Sequence, residues 1–197
     1  MAKPGYVHNI VTPAGRILYP HLASPNNEGM YPSGKYEATL IFSQEEEEGY
    51  NKLIAAAVEA AQQVVPGITA EQLDISLRDG ESKKQQLYHG QWVLRAKSNQ
   101  PIQCFDGTRS AIDAETVKHG DFGRLSVTAG FYRMNMTSQE AGIYRKGGAY
   151  ILEEEGKFFR PGVTFYLNRV QKIQDNDGTI SGGGGASGSE FPEEPEF

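Results

Sequence analysis

Lys35-Tyr36-Glu37-Ala38-Thr39-Leu40-Ile41-Phe42 alternates in polarity and runs directly into Ser43-Gln44-Glu45-Glu46. A period of two places Tyr36, Ala38, Leu40 and Phe42 on one face, as a half-buried strand requires. The Ser-x-x-Glu that follows has the form of a capping box, and the glutamates from Glu45 to Glu48 complement the positive end of a helix dipole. Downstream, Tyr50, Leu53, Ile54, Ala57, Val58, Ala61, Val64 and Val65 recur at helical spacing until Pro66-Gly67 stops them. A strand followed at once by one long helix is expected here.

On the N-terminal side, residues 1–34 are rich in Pro, Gly and Asn and predict one or two short strands, at Ile10-Val11 and Ile17-Leu18-Tyr19. Beyond the helix, residues 68–90 read as irregular, with Arg78-Asp79-Gly80 and Lys83-Lys84 in a polar loop. Alternation returns from Gln91 to Lys97, setting Trp92, Leu94 and Ala96 opposite Val93, Arg95 and Lys97. Pro101 to Phe105 predicts a short strand closed by Asp106-Gly107. A longer strand is expected over 123–133, with Leu125, Val127, Ala129 and Phe131 against Ser126, Thr128, Gly130 and Tyr132. Residues 134–160, polar and Gly-containing, read as a long mobile excursion. A last strand runs from Val163 to Ile173 with a phase slip near Arg169, the mark of a bulge. Short strands, one inserted helix and no βαβ alternation define a mainly β class: an OB-fold-like β-barrel decorated by α.

The charge is distributed unevenly. The chain of 197 residues carries 25 acids and 19 bases, yet from Asp175 onward there are six acids and no base, which leaves a neutral body. Setting aside Glu45 to Glu48 and Glu153 to Glu155, the rest of that body is locally basic, as suits a protein that meets a polyanion on one face. The organisation expected is a domain over 1–174, a Gly/Ser-rich linker over 175–189 and an acidic tip over 190–197. The tip carries Glu190, Phe191, Glu193, Glu194, Glu196 and Phe197, and the disordered tail it ends can fold back on a basic groove or be captured by partner proteins. The bland alternative, a solubilising end, gives no reason for the two Phe residues. A lone Cys104, the absence of a signal-peptide stretch after Met1 and the lack of a long apolar run predict a soluble, cytoplasmic protein with no membrane partner. Asn135-Met136-Thr137 is then a chance glycosylation match.

Enzyme chemistry finds little support. Gly29-Met30-Tyr31-Pro32-Ser33-Gly34-Lys35 has phosphate-loop spacing, but Tyr36 stands where a metal-binding Ser or Thr is needed and a strand follows instead of a helix. His8, His21, His89 and His119 are scattered, none at ligand spacing from another His or from Cys104, so no metal and no cofactor is expected. Asp106 and Asp113 give no acid/base pair, and no nucleophile elbow is present, so no catalytic residue is assigned.

What remains is cations interleaved with aromatics on predicted strands. Single-strand binding requires this combination, in which cations follow phosphates and flat rings stack on unpaired bases. Lys35, Arg95, Lys97, Arg124 and Arg133 are the phosphate candidates; Tyr88, Trp92, Tyr132 and Tyr166 are the stacking candidates. The alternative is that these rings pack in the core, Trp92 above all because it is in phase with Leu94.

Several pieces, in order, resemble the OB-fold class of tailed-phage single-stranded-DNA-binding proteins, a family long described as a phage protein of unknown function. They are Pro32 to Phe42, the Ala-rich helix, Arg78-Asp79-Gly80, Tyr88 to Lys97, and Leu167-Asn168-Arg169-Val170-Gln171-Lys172. The stretch from Met134 to Arg160 is longer than the family pattern. The resemblance implies an OB barrel, sequence-tolerant binding of single strands and service in phage replication or recombination. Expected partners are single-stranded DNA, replication or recombination proteins reached through the tail, and further copies of the chain along DNA. The runner-up is a virion or assembly protein with no nucleic-acid ligand.

Overall fold

The computed structural model describes residues 3–28, 32–178 and 180. In chain order the elements are β1 (Tyr6–Val11), β2 (Gly15–His21), β3 (Tyr36–Ser43), α1 (Glu47–Gln62), β4 (Asp74–Ile75), β5 (Leu77–Asp79) and β6 (Gln91–Ser98). There follow β7 (Gln103–Phe105), β8 (Ala111–Ile112), β9 (Phe122–Met136), α2 (Ser138–Lys146), β10 (Leu152–Glu154) and β11 (Lys157–Gln174).

Five of these strands close a ring. β2 pairs with β3 and β3 with β6, both antiparallel; β6 lies parallel to β11; β11 pairs antiparallel with β9, and β9 returns to β2. This is the mainly β barrel the alternation predicts. Leu40, Leu94, Leu125, Val127, Phe165 and Leu167 fill it, each at most 3% exposed. Helix α1 packs Leu53, Ala56, Ala57, Ala60 and Ala61 against this core, the small residues letting its backbone approach closely. The expected slip near Arg169 is present as a register shift between Leu167 and Arg169.

Three expectations need correction. The Ser43 capping box does not form: Ser43 is still the last residue of β3, and α1 starts at Glu47 after Glu46 with no side-chain cap. Strand pairing holds Ser43 opposite Gln91, so the chain needs a further turn before it can start a helix. A capping box does form at Thr137 with Glu140, and it opens α2 inside the stretch read as a mobile excursion. That stretch is an arm, in which β9 and β11 extend beyond the barrel as a paired ribbon, Met134↔Arg160 to Met136↔Phe158, carrying α2 and β10. Finally, packing continues past residue 174. Asp121, 2% exposed, holds Lys172 at 2.8 Å and the Asn176 amide at 2.9 Å, Arg16 holds Asp177 at 2.8 Å, and Ile180 is buried with Leu18, Ile41, Tyr88 and Val93. Residues 181–197, with the linker glycines and the acidic tip, lie outside the described residues, as does Gly29-Met30-Tyr31 of the phosphate-loop look-alike.

Candidate nucleic-acid interface

Alternation makes each barrel strand two-faced, and the face turned away from the core carries the candidate site. On β9 and β11 the outward pairs are Arg124 with Gln171, Ser126 with Arg169, Thr128 with Tyr166, Gly130 with Thr164, Tyr132 with Gly162 and Met134 with Arg160. β1 extends this surface by placing Tyr6 against Gly130, and β6 extends it on the other side by aligning Lys97 with Tyr166.

Two glycines shape it. A Cβ on Gly130 would stand 2.5 Å from the Tyr166 ring and 3.1 Å from that of Tyr6, so both rings lie over bare backbone. They are 6.3 Å apart, Tyr6 stacks on His8 at 6.1 Å, and the Lys3 ammonium sits 5.6 Å from the Tyr6 centroid. Tyr166 remains 39% exposed. Gly162 does the same for Tyr132, whose ring crosses β11 so that its hydroxyl donates to Asp74 at 3.3 Å. Burial and then the Asp74 charge push the Tyr132 phenol up to about 12, so it stays protonated and a donor.

The cations are held by carboxylates. Glu37, only 4% exposed, accepts from Arg95 at 2.9 Å, Asn26 at 2.8 Å and Ser33 at 2.9 Å, and Lys97 approaches it at 3.7 Å. Asp74 is bridged by Arg78 at 2.9 Å and Arg160 at 3.3 Å. Arg160 in turn lies 5.0 Å from the Tyr144 centroid, so α2 flanks one end of the surface.

Of the sequence candidates, Tyr166, Tyr132, Lys97, Arg95 and Arg124 share this outward face, and Lys35 is exposed just before β3. Three do not. Tyr88 is 2% exposed, packed with Leu18, Ile41 and Val93, because a short 3-10 turn folds back over β6; it cannot receive a base. Trp92 is half-buried and stacks on Tyr50 of α1 at 4.3 Å, which is the core reading its phase with Leu94 allowed. Arg133 is in phase with Phe131 on the opposite side of β9, lies 5.9 Å from both the Phe131 and Phe159 rings, and is paired with Glu154.

The structure adds Lys3, Tyr6, His8, Arg78, Tyr144, Arg160 and Arg169. Tyr6 and His8 were legible as alternation across Val7, but Asn9, in the left-handed region at φ 60, breaks the pattern at a bulge. Arg160 is in phase with Gly162 and Thr164 of β11, but Lys157-Phe158-Phe159-Arg160 does not alternate and carried no such signal. Elsewhere, Cys104 is buried and its thiol is pushed up to about 11 by burial and then by the Asp113 charge, which leaves it inert at neutral pH. Among the described residues no group of three or more His, Cys, Asp or Glu is placed to hold a metal ion, and no helix is long and apolar enough to cross a membrane.

A family model described as "Enterobacter phage Enc34, ssDNA-binding protein" matches residues 8–196. Among solved structures, the chain is similar to the single-stranded DNA-binding protein from bacteriophage Enc34, with 20% identity, a TM-score of 0.52, and coverage of 94% of this chain and 87% of that one. The same phage protein in complex with ssDNA gives 19% identity, a TM-score of 0.48, and coverage of 87% and 86%. The single-stranded DNA-binding protein gp2.5 encoded by bacteriophage T7 gives 12%, 0.44, and 92% and 99%. No curated protein matches the sequence.

Proposed function

Because the chain belongs to the family of the single-stranded-DNA-binding protein of Enterobacter phage Enc34, a family of binding proteins rather than enzymes, we propose that it binds single-stranded DNA, with little regard to sequence, across the outward face of β1, β9, β11 and β6. The observation that carries this reading is Tyr166, exposed over Gly130 beside Tyr6, with Lys97 in register on the next strand. Such a surface offers rings to unpaired bases and cations to the phosphates between them. A duplex keeps its bases stacked inside and cannot use the rings.

Titration of labelled oligo-dT and a matched duplex at two salt concentrations tests the proposal. The single strand is expected to bind more tightly, and its affinity to fall with salt as counterions are released. Equal affinity for duplex, or indifference to salt, would overturn it. Lys97→Gln is expected to weaken binding and reduce the slope of log K against log salt by about 0.7, the value for one phosphate contact on a single strand.

The setting we assign is phage DNA replication or recombination. Residues 175–178 and 180 dock on the barrel, residues 181–189 act as the tether, and the tip from Glu190 to Phe197 competes with DNA for the basic face and recruits partner proteins. The support is the concentration of acids and two Phe residues beyond the last base. Deleting residues 190–197 is expected to raise single-strand affinity at low salt, measured by the same titration. Unchanged affinity would leave the tip as a solubilising end.

A further inference from the structure

Asp74 sits where no strand-pairing rule requires a carboxylate, and three donors converge on it. Arg78 reaches Oδ1 at 2.9 Å, and Arg160 and the Tyr132 hydroxyl each reach Oδ2 at 3.3 Å. Arg78 also donates to the Ile75 carbonyl at 3.0 Å, which fixes its guanidinium over β4. Two guanidiniums and a phenol turned on one oxyanion form the donor set that a phosphate takes. The carboxylate is 13% exposed, but Arg78 and Arg160 keep 35% and 28% of their side-chain surface in solvent, so their outer edges remain accessible. Lys83 adds to the field: burial and then the Arg78 charge hold its ammonium below the ordinary lysine range.

Position matters as much as chemistry. β4 pairs with β11 at Gly162↔Asp74, on the strand edge where β6 pairs at Tyr166↔Lys97. Four residues of β11 separate the two points, about 13 Å of extended chain. The cluster thus lies on the line that runs from the Glu37-held cations past Tyr166 and Tyr132 to Tyr144. We propose that Arg78, Arg160 and Tyr132 form a seat for a backbone phosphate of the bound strand, and that Asp74 is the intramolecular anion occupying it in the DNA-free protein. The inference rests on the single-strand-binding reading and adds to it a named phosphate site with a built-in competitor. Asp74 keeps the donors aimed at the cost of lowering the net charge that the strand meets.

The test is Asp74→Asn, which keeps the shape and an acceptor for Tyr132 but removes the charge. Oligo-dT affinity is expected to rise about five- to tenfold at low salt, with a salt slope steeper by about 0.7. Arg160→Gln is expected to weaken binding, and the gain from Asp74→Asn to shrink in that background, since the two substitutions act on one contact. Thermal melts establish that each variant is folded. A folded Asp74→Asn with unchanged or weaker affinity overturns the seat; should that variant not fold, Arg160→Gln decides alone, with unchanged affinity and slope overturning it. Wild-type protein on oligo-dT separates the two levels: if it does not prefer the single strand the underlying reading falls, whereas wild-type preference with inert variants sinks only the seat.

Discussion

Glu37→Ala is expected to destabilise the barrel by about 3 kcal/mol or more, within the range of about 3–5 kcal/mol for breaking a buried ion pair. The carboxylate is the acceptor for Arg95, Asn26 and Ser33 at once, and Asn26 is itself 4% exposed. Its removal takes a carboxylate partner from a guanidinium of 14% side-chain exposure on the barrel wall and the acceptor from a buried amide. Glu37→Gln, which keeps an acceptor, is expected to cost less. Urea unfolding at neutral pH reads both as shifts in midpoint at constant m. An alanine variant as stable as wild type would show that Arg95 finds water without cost and that Glu37 is not structural.

The same group predicts a pH dependence. Burial alone would raise the Glu37 carboxyl, but hydrogen bonds from Asn26 and Arg95, the Arg95 charge and the Ser33 bond outweigh it and hold it below its ordinary value of 4.5. A carboxyl whose folded-state value is depressed binds protons more readily in the unfolded chain. Its contribution is therefore complete above about pH 4.5 and is lost as pH falls through the lower folded-state value. Wild type should lose stability over that acidic window more steeply than Glu37→Gln, as urea midpoints measured from pH 6 downward would register.

Glu37 also marks how far the sequence reaches. Its strand and the face carrying Ala38, Leu40 and Phe42 were legible from the period of two, although the reverse face, with Glu37, Thr39 and Ile41, is buried as well. What was not legible is which outward residues meet. Lys97 and Tyr166 are 69 positions apart, and only closure of the ring between β6 and β11 brings them into register. Tyr88 failed as a candidate for a related reason: a turn folding over the outside of β6 makes a second small core that has no periodic signature. Arg133 lies off that face because adjacent residues on a strand face opposite ways, so Tyr132 on the outer face puts its neighbour on the other. The arm over 134–160 was hidden by polarity, since α2 buries only Ala141 and shows little apolar periodicity, although its Thr137-x-x-Glu140 cap stood in plain view.

Tyr6→Ala and Tyr166→Ala are each expected to weaken oligo-dT binding by about fivefold to a hundredfold, since stacking on one base contributes about 1–3 kcal/mol and about 1.4 kcal/mol is a factor of ten. With ring centroids 6.3 Å apart the two positions are coupled, so the double variant should lose less than the product of the single losses. Both changes remove surface without removing charge. Affinity should therefore fall by the same factor at every salt concentration, with an unaltered slope, in contrast to Lys97→Gln and Asp74→Asn, which change the slope itself. Tyr166→Phe should bind like wild type, because the ring and not the hydroxyl meets the base. Stability should change little at Tyr166, which is 39% exposed, so thermal melts can separate a lost platform from a lost fold. If Tyr166→Ala kept wild-type affinity, the rings over Gly130 would be surface packing and the strand would have to run elsewhere on the barrel.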